Sequence, residues 1–325
     1  MSCWTDVCKI LNVSDLHLCE KKELCKKRVM GELSSITEFD TDEVIESIEQ
    51  KIKNLNLQKT SSYEELDIAI SFGLTRCRIN IYQASGMKCY AVRLLQNNIP
   101  SFNEINVPEA YQNLLKSKNG LILITGPTGS GKSTTLAASI EFINQHDCKH
   151  IITIEDPIEY IFSSNHSLIH QREVNTDTQS FNQALVASLR EDPDVIMIGE
   201  LRDLDTISTA IKAAETGHLV LATTHTKSAT STLDRLISVF PEIAQQQIRL
   251  QLADVLVGIF AQQLLPTLKH SRCLCSELLI NSTPISNLIR ENKLQMIPNT
   301  IKTSKALGMY TFEDCQKQLK QKGII

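Results

Sequence analysis

The chain has 325 residues, 42% of them hydrophobic and 22% charged, with a formal net charge of −4. That supplies the core of one large domain or two ordinary ones, and it excludes a general electrostatic pull toward nucleic acid or anionic lipid, so no nucleic-acid partner is expected. No apolar run reaches bilayer-spanning length, and Met1-Ser2-Cys3-Trp4-Thr5-Asp6 lacks the basic and apolar regions of a signal peptide, so a cytosolic chain is expected.

A small α+β domain is expected over residues 1–97. Leu11–Leu18 alternates partly, as a strand does. Val44, Ile45, Ile48, Ile52 and Leu55 recur at helical spacing. Asp40 with Glu43 resembles a capping box ahead of that helix, and the acidic run from Glu38 to Glu49 reads as its solvated face. Three strands follow in which Leu66, Ile68 and Ile70, then Cys77, Ile79 and Ile81, then Tyr90, Val92 and Leu94 alternate with smaller or polar residues. Antiparallel strands with one covered face fit that pattern. A four-residue hairpin loop at Ala84–Met87 pairs Gln83 with Lys88, and the register then sets Arg78 opposite Arg93. Like charges in that position are destabilising unless they are solvated or share an anion.

Residues 98–112, with Pro100 and Pro108, read as a linker to a larger domain over residues 113–325. There strands at 121–125, 151–155, 194–199 and 218–224 alternate with helical segments, which implies a parallel α/β sheet. Behind the first of these strands lies Gly126-Pro127-Thr128-Gly129-Ser130-Gly131-Lys132-Ser133, which fits the phosphate-binding P-loop, G-x-x-x-x-G-K-[ST]. Its glycines let backbone wrap a phosphate, and the following helix turns its N–H groups toward it. Gly126, Thr128, Gly129, Ser130, Gly131, Lys132, Ser133 and Thr134 are the candidate ATP contacts. Lys132 would reach the β/γ-phosphates and the Ser133 hydroxyl would hold Mg²⁺.

Two later strands end in acids. Ile151–Glu159 places Glu155, Asp156 and Glu159 beyond a strand that Pro157 stops, and Asp194–Glu200 delivers Glu200. In open α/β sheets the carboxyl ends of strands face the ligand, so Glu155 and Glu200 are candidates to hold Mg²⁺ through water or to polarise an attacking water. Either cluster alone would equally suit a solvated, helix-capping loop. His225 follows a third such strand, near the expected γ-phosphate, whereas His218 stands at its opposite end. Ten cysteines include no C-x-x-C pair, and Cys273-Leu274-Cys275 is too tight to argue for metal, so reduced, mostly buried thiols are expected.

Taken together these motifs resemble the secretion-type ATPases of type IV pili and type II secretion, and within them the pilus-retraction branch. Gly126–Ser133 matches the family's Walker A, Thr153–Glu159 its Asp box, Leu189–Asp203 its Walker B and Ala214–Thr226 its His box. Arg76–Asn80 and Val92-Arg93 resemble its arginine-bearing strands. The resemblance implies Glu200 as catalytic carboxylate, Glu159 as a water- or metal-positioning residue, and Arg78 and Arg93 as partners of the γ-phosphate. It implies a PAS-like first domain before a RecA-like second one, joined in a homohexameric ring. The cofactors would be ATP and Mg²⁺. The ring would be cytoplasmic and peripheral to the bacterial inner membrane, passing force to a platform protein and, through it, to pilin.

Departures from the family pattern lie at both ends. Lys21, Lys22, Lys26 and Lys27 stand where apolar residues are usual, before an Arg28–Gly31 turn. Retraction ATPases carry A-I-R-N-L-I-R-E where this chain has Pro284–Glu291. Physically, Thr283 caps that helix with Pro284 at its first position, Ile285, Leu288 and Ile289 form the buried stripe, and Arg290 and Glu291 point outward. Two other readings stand beside retraction. One is an extension or type II secretion motor, which usually adds a four-cysteine zinc element. The other is a nucleotide-binding regulator that does no motor work.

Overall fold

The computed structural model describes residues 13–29, 32–54, 65–72, 75–95, 98–268 and 271–325; the expectations resting on Cys3, Cys8, Leu11, Asn12, Met30, Gly31, Leu55 and Asn97 lie outside them. The chain divides into two compact units, Met1–Asn98 with Pro157–Ile161, and Ile99–Asp156 with Phe162–Ile325.

In the first unit, β1 (Val13–Cys19), β2 (Lys26–Val29), β3 (Glu32–Ser35), β4 (Leu66–Phe72), β5 (Thr75–Ala84) and β6 (Met87–Leu94) form one antiparallel sheet in the order β3-β2-β1-β6-β5-β4. Its alternation is the sequence alternation: Leu16, Leu18, Cys77, Ile79, Ile81, Tyr90 and Val92 are buried with Ile70 and Phe72. Helix Thr41–Asn54 adds Val44, Ile48 and Ile52 to the same core. Asp40 does serve the helix N-terminus, but its Oδ1 accepts the Asp42 N–H at 3.0 Å and the Lys22 ammonium at 2.8 Å. Of the basic cluster, Lys27 is buried and pairs with Glu38.

The β5–β6 register is the expected one, with Gln83 on Lys88, Ile81 on Tyr90 and Arg78 on Arg93. The loop is shorter than expected. Ala84 pairs with Met87, leaving Ser85 and Gly86 at φ 51° and 75°. Two left-handed residues make the tight turn whose twist matches the strands. A two-residue and a four-residue loop centred on the same bond share one register, so the error left the pairing unchanged. The segment Pro157–Ile161 belongs to this unit, where Ile158 O accepts a hydrogen bond from Arg76 Nε at 2.9 Å.

In the second unit, β7 (Gly120–Thr125), β8 (His150–Glu155), β9 (Leu168–Glu173), β10 (Val195–Ile198), β11 (Leu219–Thr224), β12 (Leu256–Pro266) and β13 (Arg272–Ile280) form a sheet in the order β13-β12-β7-β11-β10-β8-β9. It is parallel from β12 to β9, and β13 closes one edge antiparallel. The apolar runs of β7, β8, β10 and β11 are buried because helices cover both faces, as parallel sheets require. The stretch 99–112 is built into this unit. Phe102, Val107 and Tyr111 are buried, and the Tyr111 hydroxyl meets Ser139 Oγ at 2.8 Å, on helix Lys132–His146.

Helix Thr283–Arg290 starts one residue earlier than expected, with Ser282 at its N-cap and Pro284 in its first turn. Ile285 and Ile289 are buried, Leu288 is half-buried, and Arg290 reaches Asp254.

Candidate nucleotide site

Strand β7 ends at Thr125, and Gly126, Gly129 and Gly131 follow with φ of 155°, 77° and 87°. At Gly126 the constraint is also steric. A Cβ there would lie 2.2 Å from Gln262 O and 2.6 Å from Ser130 Oγ. Helix Lys132–His146 opens at Gly131 with no side-chain cap, so its first N–H groups remain for a ligand. Lys132 is folded over the loop, its Nζ donating to Gly126 O at 2.9 Å and Pro127 O at 3.1 Å. Ser130 Oγ is buried with no protein partner. Thr128, Gly129 and Ser133 are exposed beside it, and Thr134 is half-buried. A glycine cradle, an uncapped helix N-terminus, a lysine and an unpartnered hydroxyl are the donor set that a phosphate chain needs, so these residues fit a nucleotide.

Gln262 escaped the sequence reading. It is buried on β12, and its Nε2 donates to Ser130 O at 2.7 Å. The available signal was a glutamine inside the apolar run Leu256–Leu265. Gln262→Ala should leave the Ser130 carbonyl without that donor. A buried hydrogen bond of this kind contributes about 1 kcal/mol. Nucleotide affinity should therefore fall about fivefold in a fluorescent-nucleotide titration. Unchanged affinity would restrict Gln262 to packing.

Parallel register aligns the carboxyl ends of the strands, with Ile198 between Ile154 and Ala222, and Thr224 beside Thr125. Beyond Ile198 the chain stays stitched to both neighbours. Gly199 N donates to Ile154 O at 2.8 Å and Leu201 N to Thr223 O at 2.9 Å. Glu200 is held between these two bonds. Its Oε2 meets His225 Nε2 at 3.0 Å, and its Oε1 pairs with Arg202. The structure thus brings two predicted residues into direct contact and adds Arg202. Glu155, at the end of β8, is buried and accepts from Thr153 Oγ1 at 2.7 Å and Gln171 Nε2 at 3.2 Å. A hydroxyl chain joins the P-loop to the His225 loop: Thr224 Oγ1 donates to Thr125 Oγ1 at 2.9 Å, and Thr125 Oγ1 donates to Thr226 O at 2.7 Å. His218 is tied instead to Ala213 O at 2.9 Å, at the opposite end of β11.

Glu159, Arg78 and Arg93 belong to the first unit. The two arginines do face each other across β5 and β6, but they do not stand as an uncompensated like-charge pair. Arg78 forks onto Asp67, with Nη2–Oδ2 at 2.7 Å and Nε–Oδ1 at 3.1 Å, and Arg93 Nε meets Asp15 Oδ1 at 2.9 Å. The row Asp67–Arg78–Arg93–Asp15 crosses four strands and balances its own charge. The expected destabilisation is thereby offset.

Among the described residues no group of three or more histidines, cysteines or acids is arranged to hold a metal, and no helix is long and apolar enough to cross a membrane. Cys19, Cys25, Cys77, Cys89 and Cys275 are buried free thiols, and Cys148 is exposed.

The family model described as "Type II/IV secretion system protein" matches residues 14–320. An uncharacterised Escherichia coli protein, YggR, is 43% identical over 93% of this chain and 92% of its own length. The type IV pilus retraction ATPase PilT of Pseudomonas aeruginosa is 41% identical over 83% of this chain and 80% of its own. Among solved structures, the pilus retraction motor PilT with bound ADP superposes with a TM-score of 0.85 at 42% identity, covering 97% of this chain and 91% of that one.

Proposed function

The chain belongs to the type II/IV secretion system protein family, and from that premise we propose that it is an ATP-hydrolysing motor that powers type IV pilus retraction. The observation that carries the chemistry is the contact between Glu200 and His225, set at adjoining strand ends of the sheet that bears the P-loop. Similarity to a retraction ATPase and to a retraction motor with bound ADP, each over most of both chains, supplies the biological direction.

In this reading the P-loop amides and Lys132 bind the phosphates, and Gln262 keeps the loop in shape. Ser133 would hold Mg²⁺, with Glu155 as an outer partner; when bound, the ion neutralises charge on the phosphates. Glu200 accepts the proton of the attacking water. Arg202 and His225 each engage one of its oxygens and so fix the orientation of the carboxylate. Glu159 positions the water. The first unit supplies Arg78 and Arg93 as counter-charges to the γ-phosphate of a neighbouring subunit, which makes the working form a homohexameric ring. Such a ring would lie in the cytoplasm against an inner-membrane platform protein and act on pilin through it.

Deleting the gene should leave cells piliated but unable to twitch, and a copy carrying Glu200→Gln should not restore movement. Counting surface pili beside a motility assay checks this. Bald cells would identify an extension motor, and normal pili with normal twitching would remove the motor assignment.

A further inference from the structure

Strand β13 places Cys273 and Cys275 on one face, two residues apart, and helix Phe312–Gln321 carries Cys315 onto that face. Cys315 Sγ accepts the Ser276 N–H at 3.4 Å, one residue along β13 from Cys275. Cys275 is wholly buried, within 3.9 Å of Phe312 O. Cys315 is half-buried and, with Cys273, lines an open cleft of about 980 Å³ whose walls also carry Arg272, Lys305, Lys317 and Lys322. One thiol therefore lines the cleft, where Asp314 pairs with Lys305, and its neighbour on β13 is buried.

We propose that Cys315 is an oxidation site that closes a disulfide to Cys275 when the protein meets a hydroperoxide. The Cys315 thiolate attacks the peroxide oxygen. An S–O bond forms, the O–O bond breaks, and the leaving alkoxide or hydroxide takes a proton. Cys315 is then a sulfenic acid, oxidised by two electrons, and the peroxide is reduced. Cys275 attacks the Cys315 sulfur. The S–S bond forms, the S–O bond breaks, and hydroxide leaves as water with the Cys275 proton. Two thiols and one hydroperoxide give one disulfide, one alcohol (or water, from hydrogen peroxide) and one water.

The electrostatics support this division of labour. Donation from Cys275, against the cost of burial, with the Ser276 contacts and the Lys322 charge, brings the Cys315 thiol down to about 6. The same contact with Cys315, with burial, pushes Cys275 up. Cys315, which lines the cleft, is the nucleophile, and the buried Cys275 is the resolving partner. The bond would fasten the C-terminal helix to β13 one strand away from the P-loop support. Cys275 pairs across the ladder with Gln263, and Ser276 with Gln262.

The test uses full-length reduced protein and a near-stoichiometric amount of hydrogen peroxide, with thiol counting and peptide mapping. Two free thiols per chain should be lost, with Cys275 and Cys315 in one linked peptide and the exposed Cys148 still reduced. Cys275→Ser should instead accumulate sulfenic acid at Cys315, captured by dimedone. Oxidation of Cys148 ahead of Cys315, or a Cys315–Cys273 link, would overturn the proposal. The mapping is done on the wild-type chain, so it stands even where a serine variant folds poorly.

Discussion

Glu200→Gln should bind ATP and fail to hydrolyse it, with turnover reduced by about 100-fold or more, the usual contribution of a positioned general base. The substitution keeps the size of the side chain, and an amide can still engage the His225 ring. The local fold therefore has little reason to change. What disappears is the acceptor for the water proton, together with the charge that pairs with Arg202. Lys132→Ala should fail differently. It removes the cation that lies over Gly126 and Pro127, so affinity should drop by about 10-fold or more, the magnitude of a hydrogen bond to a charged group. Equilibrium binding of a labelled nucleotide beside single-turnover hydrolysis separates the two. Near-normal turnover in Glu200→Gln would sink its role as base, and unchanged affinity in Lys132→Ala would remove the lysine from the phosphates.

Much of this site was legible because its determinants are local. The P-loop is a contiguous pattern, and Glu200 and His225 each stand just past a fully buried strand, β10 and β11. Parallel pairing then brings their carboxyl ends side by side whatever the loops do. Hairpin register survived a wrong loop length for a similar reason of symmetry. What could not be read was set by distant partners. Gln262 acts on Ser130 across 132 residues, and Asp15 meets Arg93 across 78. Nothing in either sequence neighbourhood marks the match. Residues 98–112 look like a linker because they are rich in proline and asparagine, but Phe102 and Tyr111 find an apolar surface on helix Lys132–His146 that only the tertiary fold creates. Glu159 lies four positions beyond Glu155 in the sequence, and Pro157–Ile161, which carries it, belongs to the first unit.

Arg78→Ala and Arg93→Ala should each lower turnover by roughly 10³, the effect of losing an arginine that neutralises γ-phosphate charge, while costing little stability. Each arginine sits in an ion pair with one exposed partner, and such pairs contribute about 1 kcal/mol or less. Their pH dependence identifies the structural share. Burial alone would raise the Asp15 carboxyl, but hydrogen bonds from Ser14 and Arg93 and the Arg93 charge hold it below its usual value. A depressed acid stabilises the fold above its unfolded pKa, about 4, and that contribution is lost as pH falls through the folded value. Any difference in melting between wild type and Arg93→Ala should therefore be present at neutral pH and close in acid. The catalytic share is separable by mixing subunits. If the arginine serves a neighbour's nucleotide, Arg93→Ala chains retain a sound P-loop and Lys132→Ala chains retain a sound arginine. Rings assembled from both inactive variants should then recover part of the ATPase activity at interfaces where the two intact halves meet. No recovery in mixed rings, with each variant assembling normally, would place the arginine and the P-loop it serves on the same chain. Arg78→Ala that unfolds the protein while the folded remainder turns over normally would make the arginine row a structural brace alone.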